Sequence, residues 1–348
     1  MRYFLCCCMV YCCVPLLLSG QTTAWQCFEK GKQLQAAQQL DESRVWYRQA
    51  IEAYQATGEA DSLTMVYHEV IYSWIDQRDY AATLREFDEL FALYAAEDWP
   101  ISFVLAKTYS LRAFVRNRLN EQAAALMDYE QAINLYDALE VNHKNVAYAY
   151  RNAAMLLMQK QDYPKTIHYL KRALERDSTG RYEASIYGQL ANCHLFIPEF
   201  TETLKYYQLG LDILEQQEPS PRRNKDIALL HSIASDAHFG LRAFDQSEWH
   251  AQQALHFYRQ NDRYWSYRFS RYVNLARVYM ELKEEEQALR YFTKALEEKA
   301  QYADYKSRTF ASLYAHLGDF YFRKGEYYQA LEYVQQGLQQ VFPGFAAA

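Results

Sequence analysis

Tyr314-Ala315-His316-Leu317-Gly318-Asp319-Phe320-Tyr321 is the stretch that decides the fold, and Gly325, Tyr327, Ala330, Val334 and Gly337 complete its pattern. Tyr314, Leu317, Gly318 and Tyr321 recur at intervals of three, one and three residues, the spacing of a single helix face. Ala330 follows Gly318 by twelve residues and Gly337 follows Ala330 by seven, so a turn and a second helix bring small residues back against the first. Small residues at such a crossing let two antiparallel helices approach to the usual ~8–10 Å. The aromatics then fill the space between successive helix pairs, and a tyrosine can bury its ring there while its hydroxyl finds a polar partner.

The frame repeats upstream. Tyr272, Leu275, Ala276, Tyr279, Ala288, Phe292 and Ala295 form one copy, and Tyr187, Leu190, Ala191, His194, Phe200, Thr203, Tyr207 and Gly210 another. Weaker copies run through Tyr150 and Ala173, Tyr109 and Ala132, Tyr67 and Phe87, Cys27 and Ala50, and His231 and Ala254. Unit starts fall near 24, 64, 106, 147, 184, 228, 269 and 311, about 41 residues apart on average. Breaks are expected at Trp99-Pro100, at Ser178-Thr179-Gly180 and along Gln216 to Arg223, where Glu218-Pro219-Ser220-Pro221 cannot continue a helix. The charge run from Lys283 to Glu286 falls at the turn inside the seventh unit, as a solvated corner.

Composition agrees. Among 348 residues there are 11 Gly and 7 Pro but 32 Tyr. Glycine at less than half the usual ~7% speaks against a sheet-rich fold with tight hairpins and against glycine-rich phosphate loops. Lys and Arg number 37 against 43 Asp and Glu, a formal charge of -6, so there is no cationic excess for nucleic acid. Length alone suggests two domains of ~150 residues, but the register continues across the breaks as one array over residues 25–342, with a short tail at 343–348.

These motifs resemble the tetratricopeptide repeat family, in a long-unit variant, since the family's basic unit is ~34 residues. The resemblance implies an all-α, right-handed superhelical solenoid of about eight helical hairpins that binds a protein or extended peptide in a groove lined by the first helix of each unit. The family's fifth and ninth groove positions carry over to Phe114, Arg151, Met155, Asn192, Asp236, Arg277 and Asp319. The middle of that groove is apolar, with Phe114 and Met155, and its C-terminal part is polar. The family's carboxylate clamp is matched only loosely, because Arg151 pairs with Met155 and Asn192 follows Gly188. For each of the seven, ordinary solvated surface is the competing reading.

At the N-terminus, Arg2 precedes an apolar run from Tyr3 to Leu18 and small polar residues from Ser19 to Ala24. This is the layout of a secretory signal peptide over residues 1–24, with cleavage after Gly20 or after Ala24. The apolar run of 16 residues is short of the ~20 needed to span a bilayer; an uncleaved anchor is the alternative. The expected location is therefore the periplasm or envelope, with no membrane span after cleavage. Removal takes away Cys6, Cys7, Cys8, Cys12 and Cys13, leaving Cys27 and Cys193 four repeats apart, too far for a disulfide.

No HExxH, paired CxxC, GxSxG or phosphate-loop motif is present, so a non-enzyme with no cofactor and no metal is expected. His194, His231 and His238 are the candidate metal ligands. Two of them occupy a position filled by Tyr279 and Tyr321 in later units, which favours ring packing, and no carboxylate or thiol completes a four-ligand shell. Tyr207, Tyr279, Phe292 and Tyr321 read as core. After Leu338 the sequence provides no polar capping helix, so an uncovered C-terminal edge and self-association through it are expected. The alternative is a stand-alone signalling protein related to repeat-containing membrane sensor kinases or transcriptional regulators, acting through a partner.

Overall fold

The computed structural model describes residues 23–177, 179–301 and 308–342. The proposed signal segment up to residue 22 and the tail at 343–348 lie outside the described residues. Among those described, there are sixteen α-helices, one short 3-10 turn and no strand. The chain divides into two compact units. The first holds three helical hairpins: α1 (Ala24–Ala36) with α2 (Leu40–Thr57), α3 (Ala60–Asp76) with α4 (Tyr80–Ala96), and α5 (Phe103–Arg118) with α6 (Gln122–Ala138). The second holds five: α7 (Lys144–Gln159) with α8 (Tyr163–Arg176), α9 (Glu183–Phe196) with α10 (Phe200–Glu215), α11 (Pro221–Gly240) with α12 (Phe244–Tyr258), α13 (Trp265–Glu281) with α14 (Glu285–Ala300), and α15 (Arg308–Arg323) with α16 (Tyr327–Val341).

Each first helix begins at or slightly before its expected start. The largest difference is at α11, which opens at Pro221 with Ser220 as its N-cap, the serine hydroxyl accepting from the Arg223 N–H at 3.1 Å. The proline read as a breaker is thus a helix starter, because a first-turn residue has no intrahelical use for the N–H that proline lacks. The breaks at Trp99-Pro100 and Thr179-Gly180 are loops.

The turn inside the hairpins repeats more strictly than the side chains do. Gln38, Arg78, Asn120, Gln161, Arg242, Lys283 and Gly325 all have φ between 60° and 79°, at intervals of 40 to 42 residues or twice that. In the second hairpin the N–H of Arg78 donates to the Ile75 carbonyl at 2.9 Å and that of Asp79 to Trp74 at 3.0 Å, closing the helix with a left-handed residue. Six of these seven residues are not glycine, so scarce glycine does not mean scarce left-handed positions; the hairpin turn imposes the conformation on whatever residue stands there.

The aromatic content has a specific use. In the last four hairpins a ring of the first helix lies flat on a ring of the second: His194 on Tyr206, His238 on His250, Tyr279 on Tyr291 and Tyr321 on Tyr333, with centroids 5.1–5.5 Å apart and planes within 20°. Tyr207 and Phe292 are buried. Small residues act as expected: a Cβ on Gly318 would come within 2.8 Å of Val334 Cγ2, across the α15–α16 crossing. The hydroxyl of fully buried Tyr47 finds a partner, donating to Gln35 Oε1 at 2.7 Å.

Candidate functional site

Of the seven groove residues, Phe114 lies in the first unit and the other six in the second. Phe114 on α5 is half-buried against the Ile71–Phe87–Val115 cluster, with the Arg118 guanidinium 5.1 Å from its ring. In the second unit Arg151 sits 4.7 Å over the Tyr182 ring, Met155 is exposed, and Asn192 reaches Met158 Sδ at 3.7 Å.

Asp236, Arg277 and Asp319 come together. They lie on α11, α13 and α15, the first helices of three successive hairpins, and line two adjoining cavities of about 400 and 230 Å³ that share Arg277 and His316. Arg151, Met155 and Asn192 line neither.

The three play different parts. Asp236 is gripped by Arg271 through two 3.0 Å hydrogen bonds and accepts a third from Asn274 Nδ2 at 2.8 Å. Arg271 also donates to the Ser232 carbonyl, and Ser235 donates to Asn274 Oδ1, so this carboxylate ties α11 to α13. Asp319 pairs with Arg323 at 2.9 Å, one helical turn on. Arg277 stacks at 4.2 Å on the Phe239 ring and makes no hydrogen bond or ion pair with any described residue. Burial pulls the pKa of its guanidinium down, and Asp236 pushes it back up. His316 beside it is pulled down to about 4, first by burial and then by the Arg277 charge, so it is neutral near pH 7.

Arg271 and Asn274 hold the site together yet were not singled out from the sequence. The available signal was a polar stripe on α13: Arg268, Arg271, Asn274 and Arg277 stand three apart. Three residues turn ~300° around a helix, so each step backs round by ~60°. The stripe therefore winds from Arg268, which pairs with buried Glu298 at 2.6 and 3.1 Å, through the Asp236 contacts to Arg277 in the cavities.

The histidines form a separate cluster. His231 Nδ1 is 3.0 Å from His250 Nδ1, Tyr207 Oη is 3.4 Å from His231 Nδ1, and the exposed Trp249 ring stands edge-on 4.8 Å from His250. Burial lowers His231 to about 4; burial and then its two histidine neighbours lower His250 to about 3. His194 turns to Glu199 instead, at 2.6 Å. Among the described residues no group of three or more His, Cys, Asp or Glu is placed to hold a metal ion, and Cys27 and Cys193 are both free thiols. No described helix is long and apolar enough to cross a membrane.

The tetratricopeptide repeat model matches residues 269–302 and 311–339, the hairpins that carry Arg277 and Asp319. Among curated protein sequences none matches the chain. Among solved structures, the fold is similar to the apo form of RapI (TM-score 0.59, 12% identity, covering 91% of this chain and 97% of that one). It is similar also to the apo form of the quorum sensor NprR from B. thuringiensis (TM-score 0.57, 14% identity, 90% and 97%). A third is PilW, a type IV pilus biogenesis factor (TM-score 0.52, 16% identity, 69% and 95%). Family model and fold together support a tetratricopeptide-type architecture of stacked helical hairpins.

Proposed function

We propose that this tetratricopeptide-type chain is a non-catalytic binding module of the bacterial envelope, exported by its N-terminal segment, that holds a stretch of a protein partner in the groove of α11, α13 and α15. The observation that carries the reading is Arg277, a half-buried guanidinium in a groove cavity with no acceptor among the described residues. Arg268, Arg271 and Asn274, the rest of the polar stripe on α13, are consumed in tying helices together. A cationic side chain whose donors meet no acceptor among the described residues, set beside Phe239, Phe244 and Met280, is what a recognition surface needs.

The test places a photoreactive benzoylphenylalanine at Met280 and irradiates cells of the source organism. A discrete adduct is expected, and Arg277→Glu should abolish it while the far-ultraviolet circular dichroism stays helical. An adduct that survives Arg277→Glu unchanged rules the groove out. Self-association belongs to the same proposal. On α16, Tyr328 is 94% exposed, and Tyr327 and Leu331 near it are exposed as well. Light scattering that finds only monomer at about 100 µM, a concentration at which a micromolar dimer would be assembled, removes this part.

A further inference from the structure

Among the described residues, the cavity beside Arg277 is short of one negative charge. Its carboxylates are engaged: Asp319 by Arg323 at 2.9 Å, and Glu281 by Arg323 at 3.0 Å and by Arg242 at 3.7 Å. Asp236, in the adjoining cavity, is held by Arg271 and Asn274. Three arginines, 242, 277 and 323, thus face two carboxylates, and His316 adds no charge near neutral pH. The excess sits on Arg277, because the Phe239 ring attracts the cation without accepting its five N–H donors as a carboxylate would. Leaving donors of a half-buried cation unmatched is unfavourable, and an anion that accepts two of them in parallel relieves it. The rest of the lining is apolar, through Phe239, Phe244 and Met280, and about 400 Å³ is room for one large side chain next to the anion.

We propose that Arg277 is the anchor for a carboxylate carried next to an apolar side chain on the bound partner segment. This rests on the groove reading above and names what the groove recognises. A peptide's C-terminal carboxylate and an acidic side chain followed by an aromatic residue share this chemistry, and the experiment separates them.

Three peptides are titrated into the full chain by isothermal calorimetry: acetyl-Ala-Ala-Phe with a free C-terminus, its C-terminal amide, and acetyl-Ala-Glu-Phe-amide. At least one of the two acids should bind about 10-fold more tightly than acetyl-Ala-Ala-Phe-amide. Preference for the first acid assigns the anion to a chain terminus, and preference for the second to a side chain. Arg277→Met should weaken the preferred acid about 10-fold or more, and Arg277→Lys by less, since it keeps the charge but loses the fork. The proposal is overturned if the neutral amide binds as well as both acids, if Arg277→Met binds the preferred acid unchanged, or if no peptide binds at about 10 mM. The comparison of acid with amide uses the unaltered protein, so it decides even if a variant folds poorly. Loss of the peptide result with a surviving, Arg277-dependent crosslink would sink the carboxylate and leave the groove standing.

Discussion

Tyr279 and Tyr291 lie ring on ring across the α13–α14 hairpin, with centroids 5.5 Å apart and planes 7° from parallel. The same two places in the α11–α12 hairpin hold His238 and His250. Histidine is a flat ring like tyrosine, so the packing is kept, but it brings a group that can take up a proton, which burial here opposes.

Acid should therefore loosen this part of the second unit. The folded pKa values of His231 (about 4), His250 (about 3) and His238 (lowered) lie below the unfolded value near 6.5. The folded state thus binds fewer protons than the unfolded one in this range. The stability they contribute is complete above about pH 6.5 and is lost as pH falls toward 4. The melting temperature should drop across that window, and Trp249 fluorescence, 4.8 Å from His250, should report it. A His238→Tyr, His250→Tyr variant should lose less stability between pH 7 and 4.5; an equal loss would show that other groups govern the acid response.

Left-handed turn residues offer stabilising substitutions. Arg78 and Lys283 have φ of 60° and 62°, a conformation unfavourable for a residue with a Cβ. Arg78→Gly and Lys283→Gly should each raise unfolding free energy by about 0.5–1 kcal/mol in urea titrations, glycine's greater chain entropy offsetting part of the relief. A decrease would mean that the side chains contribute more than the backbone strain they impose.

Two glycines should respond oppositely to alanine. A Cβ on Gly31 would sit 2.5 Å from Tyr47 Cε1, and Tyr47 is fully buried and held by Gln35. Gly31→Ala should destabilise by about 1–3 kcal/mol through overpacking. At Gly188 the nearest atom is Leu230 Cδ2 at 3.5 Å, an ordinary contact, inside α9. Gly188→Ala should be neutral or stabilise by up to about 1 kcal/mol, the helix-propensity gain. Reversal of this order in thermal melts would contradict the packing described.

Removing Asp236 should weaken the fold itself. Asp236→Ala leaves the buried Arg271 guanidinium without its carboxylate and Asn274 without an acceptor, at about 2–3 kcal/mol. Arg277→Met breaks no internal hydrogen bond and should change stability by less than about 1 kcal/mol. Equal losses in denaturant titrations would remove the distinction between the structural and the free arginine.

The first helix bears on where an exported chain would be cut. Thr23 caps α1: its N–H donates to Gln26 Oε1 at 2.8 Å, and its hydroxyl accepts from the Gln26 N–H at 3.3 Å. Cutting after Ala24 removes this cap and the first helical residue, while cutting after Gly20 leaves both. On the proposed export, mass spectrometry of the processed protein should find Gln21 at the N-terminus; Trp25 there would show that processing ignores the cap.

Sequence alone determined that the chain is a recurrence of helical hairpins. The three- and four-residue spacing of Tyr314, Leu317, Gly318 and Tyr321 is a local property of a helix, and its recurrence about every 41 residues needs no knowledge of contacts. It also determined that Asp236, Arg277 and Asp319 occupy equivalent places on successive first helices. Equivalent places look alike in sequence whether a side chain is free or engaged. Only the tertiary structure decided that Asp236 is saturated by Arg271, 35 residues later, and Asp319 is paired with Arg323, while Arg277 keeps its donors. It likewise decided that His250 completes the histidine cluster, from a second-helix position to which the repeat frame had given no role. Ion pairs and ring stacks between helices depend on which side chains reach across, and that follows from how neighbouring hairpins are set against each other.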